Sequence, residues 1–240
     1  RLTDRAAKEL DPVPDVLELD VTQDEHWAEV GDELRRRWGR LDGALHAIAF
    51  APPTCMGGGM LDVPWDDVAV AVRISAYSLQ SLASMARPLM ASAGGGSIIG
   101  LDYDATVAWP DYDWMGVAKA ALESTSRYLA RDRGPDNIRV NLVACGPIGS
   151  TAARSIPGFK QYNHVWGLRA PLGWDVFDAA PVGRTCVALW SDLMPVTTGE
   201  IVHADGGAHA IGRSREEHAG AGLVPAADGV PAADGAGGGA

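Results

Sequence analysis

The sequence predicts an α/β fold, a doubly wound parallel sheet of the Rossmann type, carried in one domain over residues 1–212. Two observations predict it. Stretches rich in Val, Ile and Leu recur as near-continuous apolar runs bounded by turn residues, the pattern of strands buried on both faces. Helical stretches separate these runs, as the crossovers of a parallel sheet require.

The elements follow in order along the chain. RLTDRAAKEL at the front reads as the tail of a helix. Residues 16–20 (VLELD) read as a strand. Thr22, with Glu25 three residues later, forms a capping box that opens a helix lasting to about Trp38. Residues 41–50 (LDGALHAIAF) are the next strand, and a long helical segment runs from about Trp65 to Met90. A glycine turn leads into the strand 97–103 (SIIGLDY), a helix over 112–131 and the strand 138–145 (IRVNLVAC). A helix near 178–189 precedes the last strand, 199–205 (GEIVHAD). In such a sheet ligands bind at the carboxyl ends of the strands.

The two ends depart from this pattern. Residues 213–240 are of low complexity, with VPAADG occurring twice before AGGGA. Such a tail can bury little apolar surface and is expected to be disordered. At the front, a nucleotide-binding α/β fold opens on a strand, a glycine-rich turn and a helix whose N-terminus holds a pyrophosphate. Here the helix tail passes straight to VLELD, glycines 57–59 precede LDVP, and glycines 94–96 precede a strand. The expectation is a chain lacking its first βαβ portion.

Composition narrows the function. The 240 residues are 47% hydrophobic, ample for a buried core. No apolar run has bilayer-spanning length and no signal-peptide series follows Arg1, so no membrane association is expected. Cys55, Cys145 and Cys186 are widely spaced and match no metal-ligand pattern. No metal site is predicted, and the cysteines read as reduced thiols of a cytoplasmic protein. A formal net charge of −11 argues against general nucleic-acid binding. It leaves room for an acidic partner at a local basic patch.

The stretch YDWMGVAK carries the candidate chemistry. Tyr112 and Lys119 are seven residues apart, almost two helical turns, and so project from nearly the same face. The loop before Tyr112 follows the strand SIIGLDY and lies at the carboxyl edge of the sheet. A tyrosine hydroxyl there can donate a hydrogen bond to an oxygen that gains negative charge. A nearby ammonium favours that polarised hydroxyl and can hold sugar hydroxyls.

With these come RLTDRAAKEL, VLELDV, LDGALHAIAFAP, RISAYS, GGSIIGLDYD, YDWMGVAKAALES, IRVNLVACGPI, SIPGF, RAPLGW and ALWSDLMPVTTGEIVHADGGAH. In that order the chain resembles the NADH-dependent enoyl-acyl-carrier-protein reductases, the divergent branch of the short-chain dehydrogenase/reductase superfamily, and most of all their actinobacterial members. Six residues between tyrosine and lysine mark that branch, against three in the wider superfamily. The resemblance runs from Arg1 to about His209.

The resemblance implies roles position by position. Tyr112 matches the tyrosine that stabilises the enolate of a trans-2-enoyl thioester, and Lys119 the lysine that holds the nicotinamide ribose. Tyr103 matches the aromatic beside the substrate carbonyl. For the cofactor, NADH/NAD, Asp20 and Val21 match the pair flanking the adenine, and Ile48 and Ala49 the backbone beneath the adenosine ribose. Ile74 matches an apolar wall. Gly146, Pro147 and Ile148 match the turn against the nicotinamide, and Ser150 retains a hydroxyl for the pyrophosphate. Ala47 and Ala49 depart from the usual Ser-Ile-Gly, and Gly149-Ser150-Thr151 from the usual Arg-Thr. Residues 150–169 would form the substrate loop, with Ile156, Phe159 and Trp166, together with Met56 and Met115, lining an acyl tunnel of conventional length. Arg154, Lys160 and Arg169 would meet an acidic acyl carrier protein. The resemblance also implies a homotetramer. Two other readings stand beside it: an inactive, truncated cofactor-fold remnant that associates with a full-length homologue, and a ketoreductase of the same superfamily. The ketoreductase typically has a serine where this chain has Leu101-Asp102.

Overall fold

The computed structural model describes residues 2–150, 153 and 166–212. Four strands form one sheet in the order β1-β2-β3-β4, every neighbouring pair parallel. They are β1 (Gly43–His46), β2 (Gly96–Asp102), β3 (Ile138–Cys145) and β4 (Ile201–Ala204). The predicted doubly wound parallel architecture is what the chain adopts.

Helices α1 (Leu2–Ala7) and α2 (Asp24–Arg37) precede the sheet. Between β1 and β2 run α3 (Trp65–Val72), a π turn (Arg73–Tyr77) and α4 (Ser78–Ala93). Helix α5 (Asp113–Arg133) joins β2 to β3, and α6 (Ala180–Trp190) precedes β4. The period of two along the central strands assigns the two faces. Ile98, Val140 and Leu142 point to one side and pack with Trp27 of α2, Leu79 and Leu82 of α4 and Leu122 of α5. Ile99 and Val143 point to the other and pack with Val182, Cys186 and Leu189 of α6. Two layers of helix therefore cover the sheet, and the near-continuous apolar runs follow from burial on both faces.

Local chemistry sets the helix ends. Asp24 and Glu25 open α2 and three arginines close it, which complements the helix dipole. Gly94 ends α4 at φ 85, a left-handed cap that glycine adopts without strain.

Two local predictions fail for stated reasons. VLELD joins no strand of the sheet. It is extended, with Leu17 and Leu19 turned inward and their neighbours exposed, and Leu19 packs on the first core. Its strand pattern is real, but among the described residues no strand pairs with it to complete a ladder. The capping box also does not form. Asp20 Oδ1 accepts both the amide (2.9 Å) and the hydroxyl (2.8 Å) of Thr22, so the amide is not left for Glu25, and the hydroxyl oxygen accepts from the Gln23 side chain (3.3 Å) instead of from the helix. Gln23 becomes the N-cap instead, without a side-chain bond.

Candidate active site

The loop between β2 and α5 is pinned from several directions. Asp104 Oδ1 accepts from the amide and hydroxyl of Thr106, Glu123 Oε1 accepts from the Ala105 amide at 3.0 Å, and the Trp109 indole donates to Asp104 O at 2.6 Å. Tyr112 is the N-cap residue of α5. Its neighbours Asp111 and Asp113 hold φ values of 57 and 37, a region that non-glycine residues occupy only when their surroundings enforce it. The glycine loop enforces it here. Gly57 N donates to Asp111 O (3.0 Å), Gly58 N to Asp113 Oδ2 (2.6 Å), and the Trp114 indole to Met60 O (2.9 Å). The glycines at 57–58 thus clamp the backbone on both sides of Tyr112.

Tyr112 itself is buried, with its ring edge-on to Tyr103 at 5.2 Å. Tyr103 stands in turn 5.0 Å from Trp109 and 5.7 Å from Trp166. Two turns further along α5, Lys119 is also buried. Its ammonium donates to Leu101 O at 3.0 Å and lies 3.9 Å from Asp102 Oδ1. Tyr112 and Lys119 therefore both lean on the end of β2, the tyrosine against Tyr103 and the lysine against Leu101 and Asp102.

Burial dominates the electrostatics of this end. It pushes the Asp102 carboxyl up to about 7 against the pull of Lys119, and the Cys145 thiol up to about 11. Burial also lowers the Lys119 ammonium, with Asp102 opposing. His46, at the end of β1, is lowered to about 4 by burial and then by Lys119. Ser78 Oγ donates to Ile74 O, which leaves His46 Nε2 as the donor in its 2.6 Å contact with Ser78 Oγ.

Three hydrogen bonds gather the residues expected at the adenosine end. Ser75 Oγ, in the π turn, donates to Phe50 O and accepts from Phe50 N, tying Ile48 and Ala49 to the turn that carries Ile74. Arg73 donates to Thr22 O and brings Asp20 and Val21 alongside. The Asp20 carboxylate is held below its usual range by its bonds from Thr22, so it acts here as a turn former. At the other end Gly146, Pro147 and Ile148 follow β3, fixed by the Trp174 indole on Pro147 O (2.8 Å) and by Gly149 N on Val176 O (2.7 Å). Ser150 is exposed, and its hydroxyl accepts from Ala153 N.

These two groups sit beyond the carboxyl ends of β1 and β3, on either side of β2, and Lys119 lies at the end of β2 between them. An ammonium has three donors, of which Leu101 O takes one. The donor set fits the ribose hydroxyls and the two ends of a dinucleotide. A glycine-rich turn for the pyrophosphate has no counterpart among the described residues: 57–59 lead into the 3-10 turn Met60–Asp62, and 94–96 into β2.

The remaining candidates are distributed as follows. Met115 is buried beside Tyr112, Ala71 and Cys55, with Met56 packed against the same group. Trp166 donates to Asp205 O at 3.0 Å and packs with Ala170 and Ala208 against Tyr103, Trp109 and Trp174. Ile156 and Phe159, like Arg154 and Lys160, lie outside the described residues. Arg169 donates to Ile211 O and lies over the Trp109 ring at 5.7 Å.

Sequence reasoning passed over Asp102, Ser75, Trp109 and the work of the 57–58 glycines. Only Asp102 had a readable signal. It shares strand parity with Ile98 and Gly100, so a face count along SIIGLDY turns it inward towards α5.

Comparison with known proteins accords with this geometry. Residues 1–209 match the family model described as Enoyl-(Acyl carrier protein) reductase. The "Enoyl-[acyl-carrier-protein] reductase [NADH]" of Mycolicibacterium smegmatis is 43% identical over 222 residues, covering 87% of this chain and 80% of that protein. The "Enoyl-[acyl-carrier-protein] reductase [NADH] FabI" of Synechocystis is 41% identical over 198 residues, 82% of this chain and 76% of its own. The "Enoyl-[acyl-carrier-protein] reductase [NADPH] FabI" of Staphylococcus aureus is 38% identical over 217 residues, 87% of this chain and 84% of its own.

Proposed function

The chain belongs to the enoyl-acyl-carrier-protein reductase family, and on that premise we propose that it reduces trans-2-enoyl thioesters of acyl carrier protein with NADH, in fatty-acid synthesis. The observation that carries the reading is the meeting of Tyr112, Tyr103 and Lys119 at the end of β2. Bound NADH supplies the hydride that reaches the β-carbon. Tyr112 donates a hydrogen bond to the thioester carbonyl oxygen and stabilises the enolate charge that develops there. Its clamped backbone holds the hydroxyl in place before reaction, which is where such stabilisation has its effect. Tyr103 packs against it and keeps water from that edge. Lys119 donates to the nicotinamide ribose and adds a positive charge behind the tyrosine. Protonation at the α-carbon completes the reduction.

Asp20, Val21, Ile48, Ala49 and Ile74 bind the adenosine end, Gly146, Pro147 and Ile148 the nicotinamide end, and Ser150 the pyrophosphate. Met56, Met115 and Trp166, with Ile156 and Phe159, surround the acyl chain. We place the reductase domain at 1–212, with a separate tail at 213–240, and the enzyme in the cytoplasm as a homotetramer. No helix among the described residues is long and apolar enough to cross a membrane. Leu193 and Val196, both highly exposed after α6, support burial of that face between copies.

The test follows NADH absorbance with trans-2-octenoyl thioester for the chain and for Tyr112→Phe. Losing one hydrogen bond to a developing oxyanion slows turnover by about 10²–10³-fold, with NADH binding retained. A Tyr112→Phe variant as fast as the parent would remove Tyr112 from the chemistry. NADH binding without turnover by the parent would favour the remnant reading.

A further inference from the structure

One carboxylate at this site has no role in the reading above. Asp102 ends β2 with its side chain fully buried, 3.9 Å from the Lys119 ammonium. Neither of its oxygens has a hydrogen-bond partner in good geometry, and beside the lysine only the Tyr103 backbone amide favours its charge. The Lys119 side chain is 6% exposed and reaches Leu101 O, the carbonyl just before Asp102. A buried carboxylate left in this state is costly. Apolar replacement of buried ion pairs is often neutral or stabilising, so packing alone does not account for it.

We propose that Asp102 is a positioning residue for Lys119: its carboxylate holds the ammonium charged at the end of β2, aimed where the cofactor ribose is bound. This rests on the role given to Lys119 above. The surroundings make the lysine depend on that one anion. Its other polar neighbours are Cys145 on β3, whose thiol is un-ionised at neutral pH, and His46 on β1, which is neutral. Glu123, one turn along α5, is committed to the Ala105 amide and sits 3.8 Å from Arg127. Asp104 is committed to Thr106. Without Asp102, burial acts on the ammonium with its largest opposing influence gone, and a desolvated amine releases its proton more readily.

The experiment reads the lysine directly. The chain has three lysines, Lys8, Lys119 and Lys160, so ¹³C-lysine labelling yields three side-chain Cε signals to follow against pH, with Lys119 assigned by its loss in Lys119→Met. The expected result is that Asp102→Asn moves the Lys119 midpoint down by about one pH unit, leaving Lys8 and Lys160 in place. In the unsubstituted protein the Lys119 signal is expected to carry a second inflection near pH 7, where Asp102 titrates. That inflection is read without any variant, so the test survives poor folding of Asp102→Asn. NADH affinity adds a readout that general loosening would not produce: weakening by about tenfold at high pH, with little change at pH 6. A Lys119 midpoint unmoved in Asp102→Asn, or a parent curve with no second inflection, overturns the proposal. If the parent shows the coupled titration but does not bind NADH, the ion pair stands and the function assigned to Lys119 fails.

Discussion

Replacing Lys119 by Met removes the ammonium and leaves the Asp102 carboxyl buried. With Lys119 present, that carboxyl already rises from 3.8 to about 7; of the remaining influences, burial, Glu123 and Asp104 push it further up, against the Tyr103 backbone amide. In Lys119→Met the carboxyl therefore stays protonated well above pH 7, whereas in the unfolded chain it ionises at its ordinary value. Over that range the folded state holds one more proton than the unfolded state, and stability falls by about 1.4 kcal/mol per pH unit. In the parent the same fall ends near pH 7, where Asp102 ionises beside the ammonium. The two stability curves should therefore separate by about 3 kcal/mol between pH 7 and pH 9. For a domain of this size that is roughly 6–12 °C in melting temperature. Lys119 shifts the comparison in the same direction: a lowered amine makes the parent's stability rise with pH as its proton leaves. Urea or thermal melts at pH 6, 7, 8 and 9 measure the separation. A difference between parent and variant that stays constant across that range would refute the coupling, since loss of the ammonium beside Asp102 must make the two curves diverge.

Two further outcomes are expected. In Gly146→Ala the new Cβ would stand 2.6 Å from Trp174 Cε2 and 2.7 Å from Trp166 Nε1. Both indoles are anchored by their own hydrogen bonds, so overpacking should cost about 1–3 kcal/mol in a urea melt; an unchanged midpoint would show that the rings yield freely. In a chain-length series of enoyl thioesters, turnover should peak at medium or conventional lengths, and a rate still rising beyond C16 would count against the acyl tunnel as read here.

Where local pattern and tertiary partner agree, the sequence was fully legible. IRVNLVAC was predicted over 138–145, and β3 occupies those residues, because a mainly apolar run at the centre of a sheet is buried whichever way its apolar side chains point. YDWMGVAK was legible for a different reason: helical periodicity alone puts Tyr112 and Lys119 at related positions on one element. VLELD shows the limit. Its alternation correctly places Leu17 and Leu19 inward, yet a strand is defined by its neighbour, and alternation says nothing about whether one is present. The Thr22 capping box failed because Asp20, two residues earlier, takes the amide that Glu25 would have accepted, and Gln23 occupies the hydroxyl oxygen.

The sequence by itself thus determined the α/β class, the parallel strands, the helix that carries Tyr112 and Lys119, and the family. These depend on periodicity and on residue order along one chain. Only the tertiary structure decided which groups are buried together: Asp102 beside Lys119, the glycine loop gripping both neighbours of Tyr112, and Ser75 bridging to Phe50. Strand parity along SIIGLDY turns Asp102 inward, but it does not say which group the carboxylate meets. The carboxylate becomes a buried charge that titrates near neutrality only when β2 and α5 close over it and remove the water that would otherwise stabilise it.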